Sequence, residues 1–196
     1  MKAYYDRRAP EYDDWWRGTG RHADKPDRPG WAAEVEQLLG VLEDLEPARV
    51  LDVACGTGFL TQQLRGDVVG LDQSPKMLAI ARERVPTARF IRGEALQLPF
   101  EDGAFDRVVT AHFYGHLEPA ERGRFLHEAR RVAGELVVVD SAMRDGVEPE
   151  AMQERVLEDG SRWSVLKRYF GAAELAAELG GGEVLLDGDW FVVVQA

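Results

Sequence analysis

The sequence predicts an α/β protein built on a doubly wound, mostly parallel seven-stranded sheet with helices on both faces. Three observations carry this expectation. From about Arg49 onward, short β-branched runs alternate with helical patterns. The runs are continuously apolar, as strands covered on both faces are. The first of them ends in Gly56-Thr57-Gly58 and gives way at once to a helical pattern.

Taken in order, the first helix is Trp31–Leu45, with Val35, Leu38, Leu42 and Leu45 on one face. Strands follow at Arg49–Val53, Val68–Asp72, Arg89–Arg92, Asp106–Ala111 and Glu135–Asp140. Between them, Gly58–Leu64 reads as a short helix leaving the first strand. Ser74-Pro75 supplies an N-cap and first-turn pair for Lys76–Val85. Pro119 opens Ala120–Ala133, with Phe125, Leu126, Ala129 and Val132 at helical spacing. Ala172–Leu179 is the last helix, and Gly180–Gly182 breaks it. Glu183–Leu186 and Trp190–Gln195 then flank an Asp187-Gly188 turn, the signature of an antiparallel hairpin.

A length of 196 residues, 45% of them hydrophobic, suits one domain spanning 1–196. Within it, residues 1–30 read as a lid-like segment and 141–170 as a segment that can form part of an acceptor pocket. Thirty-five acidic residues against 24 Lys plus Arg give a net charge of −11, which argues against nucleic acid held through its phosphates. The single cysteine, Cys55, fits a reducing compartment and reads as a packing residue. No signal peptide or membrane span is visible, so a cytoplasmic location is expected.

The chemistry concentrates in three segments. In Val50–Leu60 (VLDVACGTGFL), Gly56 and Gly58 let the backbone turn sharply and let a ligand approach it. Asp52 stands four residues before Gly56, where a pyrophosphate at the helix end would meet an unfavourable carboxylate and a cationic ligand a favourable one. Thr61 occupies the place of the third glycine of a dinucleotide-binding pattern. In Val68–Leu78 (VVGLDQSPKML), Asp72 ends the second strand, positioned to accept from both ribose hydroxyls of an adenosine. In Gly93–Val109 (GEALQLPFEDGAFDRVV), Glu94 and the Ala95 amide are candidates for the adenine edge.

These three runs together resemble the class I S-adenosylmethionine (SAM)-dependent methyltransferases. The resemblance is closest to the broad bacterial group of small-molecule and quinone-biosynthesis enzymes, and Tyr4-Tyr5-Asp6 with Ala9–Asp13 is similar to that group's N-terminal segment. It implies a strand order of 3-2-1-4-5-7-6. It also implies Asp52, Ala54, Gly56 and Gly58 around the amino-acid part of SAM, Asp72 on the ribose, and Glu94 with Ala95 at the adenine. Thr57, Gln73, Met77, Leu96 and Ala111, beside those positions, complete the expected cofactor set. The implied activity is methyl transfer to an O, N or C nucleophile of a small molecule, with S-adenosylhomocysteine as product.

Methyl transfer needs alignment and exclusion of water more than it needs a base. His112 and His116 are the candidates for taking a proton from an acceptor. Their spacing has no carboxylate or thiol pattern beside it, and no metal is expected. The candidate acceptor residues are Tyr5, Tyr12, Trp16, Tyr114, Arg162, Trp163 and Tyr169. Arg162, Lys167 and Arg168 near aromatic rings suit an anionic, planar acceptor. Two other readings stand beside this one: a noncatalytic SAM-binding or partner-binding protein with the same fold, and a nucleotide-dependent oxidoreductase. Asp52, the missing third glycine and the terminal hairpin disfavour the oxidoreductase.

Overall fold

The computed structural model describes residues 1–22 and 28–196. Its sheet contains β1 (Ala48–Val53), β2 (Gly66–Asp72), β3 (Arg89–Arg92), β4 (Arg107–Ala111), β5 (Glu135–Ser141), β8 (Glu183–Asp187) and β9 (Phe191–Gln195). Their order is β3-β2-β1-β4-β5-β9-β8. The first five run parallel, while β9 is antiparallel to both β5 and β8. This is the implied order, with the labels of the last two strands advanced by an extra hairpin. That hairpin, β6 (Glu150–Val156) and β7 (Arg162–Arg168), forms a separate two-stranded sheet.

The apolar runs behave as strands because each serves two cores. Side chains alternate across a strand, so Leu51, Val108, Val138, Val192 and Val194 enter one core. Val50, Val109, Val137, Val139 and Val193 enter the other. The first core is closed by Phe125, Ala129 and Val132 of α5 (Pro119–Val132) and Leu175 of α6 (Ala172–Glu178). The second is closed by Trp31, Val35, Leu38 and Leu42 of α3 (Trp31–Asp44). α4 (Pro75–Arg84) packs Leu78 and Ala81 against Phe90, capped as its sequence implies by Ser74 Oγ accepting from the Met77 N–H.

One expectation changes. Gly58–Leu64 is no α-helix; only Thr61–Gln63 makes a single 3₁₀ turn. Gly58 itself is left-handed, and a Cβ there would press on Ala81 of α4, so the loop is shaped by close approach rather than helix propagation. The charged segment after β5 is a hairpin, because its alternating half-buried residues pack on the N-terminal helix α1 (Lys2–Arg8), with Tyr4, Leu157 and Val165 in one small cluster.

The N-terminal segment, which holds α1 and the short α2 (Asp14–Arg17), docks on the domain. Asp6 accepts from Ser74 Oγ (2.6 Å), Asp13 accepts from Thr57 Oγ1 (2.6 Å), and Arg84 pairs with Asp13. Among the described residues no helix is long and apolar enough to cross a membrane.

Candidate active site

Two cavities open at the carboxyl ends of the parallel strands, where open α/β sheets place ligands. The smaller, about 200 Å³, lies over the β1 loop. Ala54, Gly56, Asp72, Gln73, Glu94, Ala95, Leu96 and Ala111 of the expected cofactor set all line it. Asp72 organises this wall. Its Oδ2 accepts from the Gly56 N–H (3.0 Å) and its Oδ1 from the Ser74 N–H (2.8 Å), which joins the first and second motifs through one carboxylate. Burial raises its pKa, opposed by those two N–H donors.

Among the described residues only Ala54 and His112 are non-glycine residues with positive φ (59° and 49°), and both line this cavity. A left-handed backbone costs such residues roughly 1 kcal/mol or more, so backbone strain sits at the site. Gly56, also left-handed, faces the Tyr12 ring, which a Cβ would touch at 3.5 Å.

Four expected cofactor residues stand elsewhere. Asp52 is buried and accepts from Thr61 Oγ1 (2.6 Å) on the inner side of the loop. Burial raises its pKa to about 7, so near neutral pH it is only partly ionised. Thr57 is bound to Asp13 and Arg84, Gly58 packs on α4, and Met77 is fully buried. Cys55 packs with α4, and burial pushes its thiol well above the usual range.

The larger cavity, about 820 Å³, lies under α1, the β6–β7 hairpin and the start of α3. It shares Tyr5, Tyr12, His112 and His116 with the smaller one. Tyr169 also lines it. The other acceptor candidates do not: Trp16 stacks on Phe59 in the core, Tyr114 is buried and donates to Glu178, Arg162 pairs with Glu154 at the surface, and Trp163 packs on Tyr4. Arg168 is taken by Glu174 and Glu178.

Sequence reasoning missed the polar floor. Asp140, at the end of β5, is fully buried and accepts from Lys167 Nζ (2.6 Å), the Gly115 N–H and the Ser141 N–H. Burial opposes its ionisation, but Lys167 and His112 outweigh that and hold it well below the usual carboxylate range. His112 Nδ1 lies 3.8 Å from Asp140 and 3.4 Å from Ser141 Oγ, while its buried Nε2 has no hydrogen-bond partner. Burial lowers the His112 pKa, Asp140 raises it and Lys167 lowers it, for a net fall. His116 bonds the Leu166 carbonyl through Nδ1, and burial brings it down to about 3. Both imidazoles are therefore neutral at neutral pH. Asp140 gives no sequence signal, because a carboxylate ending an apolar strand is ordinary. Arg28, Arg144 and Arg155, which also line the larger cavity, stand singly in the sequence.

Comparison with known proteins agrees with this architecture. Residues 50–135 match a family model described as a methyltransferase domain. Over that stretch, which runs from within β1 past β4 and holds the Gly56–Gly58 loop, the chain is similar to methyltransferase domains. In sequence it is similar to the demethylmenaquinone methyltransferases of Thermotoga maritima (37% identity over 56% of this chain and 49% of that one) and Thermus thermophilus (42% over 48% and 47%). The chain thus spans about half the length of these curated relatives. Among solved structures it is similar to DhpI in its complex with SAM and HEP, at 25% identity and a TM-score of 0.73 over 98% of this chain and 94% of that one.

Proposed function

We propose that this chain is a SAM-dependent methyltransferase acting on an O, N or C nucleophile of a small molecule. The observation that carries the reading is the shared wall: the cavity lined by Gly56, Asp72 and Glu94 and a separate larger one meet at Tyr5, Tyr12, His112 and His116.

The residues present fit SAM. Among the described residues, the smaller cavity is lined by the carboxylates of Asp72, Glu94 and Glu121 and by no Lys or Arg side chain. A pyrophosphate would be repelled there, and a cationic ligand without phosphate is favoured. Asp72, whose oxygens keep lone pairs beyond the two N–H bonds, serves the ribose hydroxyls, and Glu94 with Ala95 serves the adenine. SAM, when bound, supplies a methyl group already activated on a sulfonium.

The chain's own work is then positioning and proton removal. Tyr5 and Tyr12, with burial raising both pKa values, stay neutral and cover the junction against water. His112 is the base once the acceptor displaces the packing of Trp15 and Trp16 around its buried, unpartnered Nε2, and Asp140 stabilises the imidazolium that forms. Of the segment 1–30, residues 1–22 and 28–30 act as the cover of this site, and 23–27 lie outside the described residues. The relatives are named for a neutral acceptor, demethylmenaquinone, whereas the cationic side chains on the larger cavity favour a charged one here.

The test is conversion of SAM to S-adenosylhomocysteine in the presence of a metabolite extract, with His112→Gln alongside. Acceptor-dependent turnover that falls in the variant supports the proposal. Tight SAM binding with no turnover on any acceptor would favour the noncatalytic SAM-binding alternative.

A further inference from the structure

Although the molecule carries a net charge of −11, the larger cavity gathers five cationic side chains: Arg8, Arg28, Arg144, Arg155 and Lys167. Only Lys167 has a carboxylate partner among the described residues, and that partner is Asp140. The two acidic residues among the described residues of the lining are engaged elsewhere. Glu154 accepts from Arg162, and Glu11 accepts from the Glu158 N–H.

The arginines are held in another way. Arg28 lies 4.2 Å from the Trp31 ring centroid and 5.6 Å from that of Trp15. Arg144 lies 4.5 Å from Trp190 and 5.2 Å from Tyr169, and Arg8 4.7 Å from Tyr12 and 5.6 Å from Tyr4. A ring face fixes the plane of a guanidinium and leaves its edge N–H donors for something else. Arg28 gives one donor to the Trp15 carbonyl and Arg8 one to the Tyr4 hydroxyl, so most remain. Gathering unpaired cations in a half-enclosed space is costly without a counter-charge. Burial, with Arg144 and Arg155 nearby, makes Arg28 easier to deprotonate than usual, consistent with three guanidiniums in mutual range.

We infer that the larger cavity binds its methyl acceptor through an oxyanion, carboxylate or phosphoryl, received by the edges of Arg28 and Arg144. This rests on the reading of the cavity as the acceptor site. The oxyanion and the methylated atom are also close together in the acceptor. The Trp15 ring lies 4.8 Å from His112 and 5.6 Å from Arg28, so one indole separates the base from the anion-binding end. A neutral, long-chain acceptor uses none of these donors.

The experiment titrates three probes into the full chain saturated with S-adenosylhomocysteine, and again without it, following tryptophan fluorescence. The probes are 4-hydroxybenzoate, phenyl phosphate and the neutral methyl 4-hydroxybenzoate. The expected result is binding of at least one anion about tenfold or more tighter than the neutral ester. That preference is lost in Arg144→Gln and in Arg28→Gln, kept in the surface control Arg162→Gln, and weakened by added salt. Which anion binds tighter tells carboxylate from phosphoryl. Equal binding of the ester, or no anion binding by protein that holds S-adenosylhomocysteine, overturns the inference. Failure to hold S-adenosylhomocysteine counts against the cofactor reading alone, since the titration without it still judges the anion.

Discussion

Lys167 Nζ lies 2.6 Å from Asp140 Oδ1, with both side chains buried beneath the larger cavity. The pair links β7 of the hairpin to β5 of the main sheet, so it fixes the roof of the cavity to its floor. Removing one partner strands the other. Lys167→Met is expected to cost roughly 3–5 kcal/mol, read as a lower urea midpoint. Lys167→Met combined with Asp140→Asn should recover part of that loss. A Lys167→Met protein as stable as the parent would contradict the role given to the pair.

The same ammonium acts on His112. Burial is the main reason its pKa is low, and Lys167 adds to the fall. The imidazole is therefore neutral at pH 7 and able to accept a proton. Methyl transfer should be flat between about pH 7 and 8 and should decline only as acid protonates His112 below its ordinary pKa of about 6.5. His112→Gln should reduce turnover by about a hundredfold or more for an acceptor that must lose a proton. In Lys167→Met the acid limb should move to higher pH, which a pH–rate profile would detect.

Asp52 makes an opposite kind of claim. Its folded pKa of about 7 lies above its ordinary value, so the folded state binds a proton that the unfolded chain has released. Stability from this group is full below about pH 4 and is lost as pH rises through about 7. Asp52→Asn keeps an acceptor for Thr61 and removes the ionisation. The variant's melting temperature, relative to the parent, should gain several degrees more at pH 8 than at pH 5; about 1 kcal/mol corresponds to roughly 2–4 °C in a domain of this size. An identical difference at both values would show that Asp52 is ionised throughout.

The terminal hairpin is held by one carboxylate. Glu34, in the first turn of α3, accepts from the backbone N–H groups of Asp189, Trp190 and Phe191 at 3.0, 2.7 and 2.7 Å. Glu34→Ala leaves three donors to find water. The expected cost is about 2 kcal/mol or more, visible in a thermal melt; a melt unchanged from the parent would mean that water replaces the carboxylate fully.

The fold was legible because buried parallel strands must be apolar along their whole length, and runs such as Leu136–Val139 admit little else. The candidate cofactor loop stood out in the sequence because Gly56 and Asp72 are constrained by backbone geometry and hydrogen bonding within 16 residues. The acceptor side was not. Arg28, Arg144 and Arg155 converge only after the chain folds, and each alone looks like a solvated charge. Trp16 and Tyr114 sit in sequence beside site residues, yet they turn into the two cores, because a large ring is stabilised more by burial there than at a wet rim. The segment 141–170 reads as strand-like in sequence, but its pairing as the β6–β7 hairpin was not legible, because its half-buried face alternates with charges and packs on only a small cluster.

The most direct test is calorimetric titration of SAM, S-adenosylhomocysteine and NAD into the parent protein and into Asp72→Ala. Binding of SAM and its product but not NAD, weakened by about a hundredfold in the variant as two ribose bonds to a charged acceptor are lost, is the predicted result. Binding of NAD alone, or of SAM with equal affinity to both proteins, would contradict the assignment of the smaller cavity.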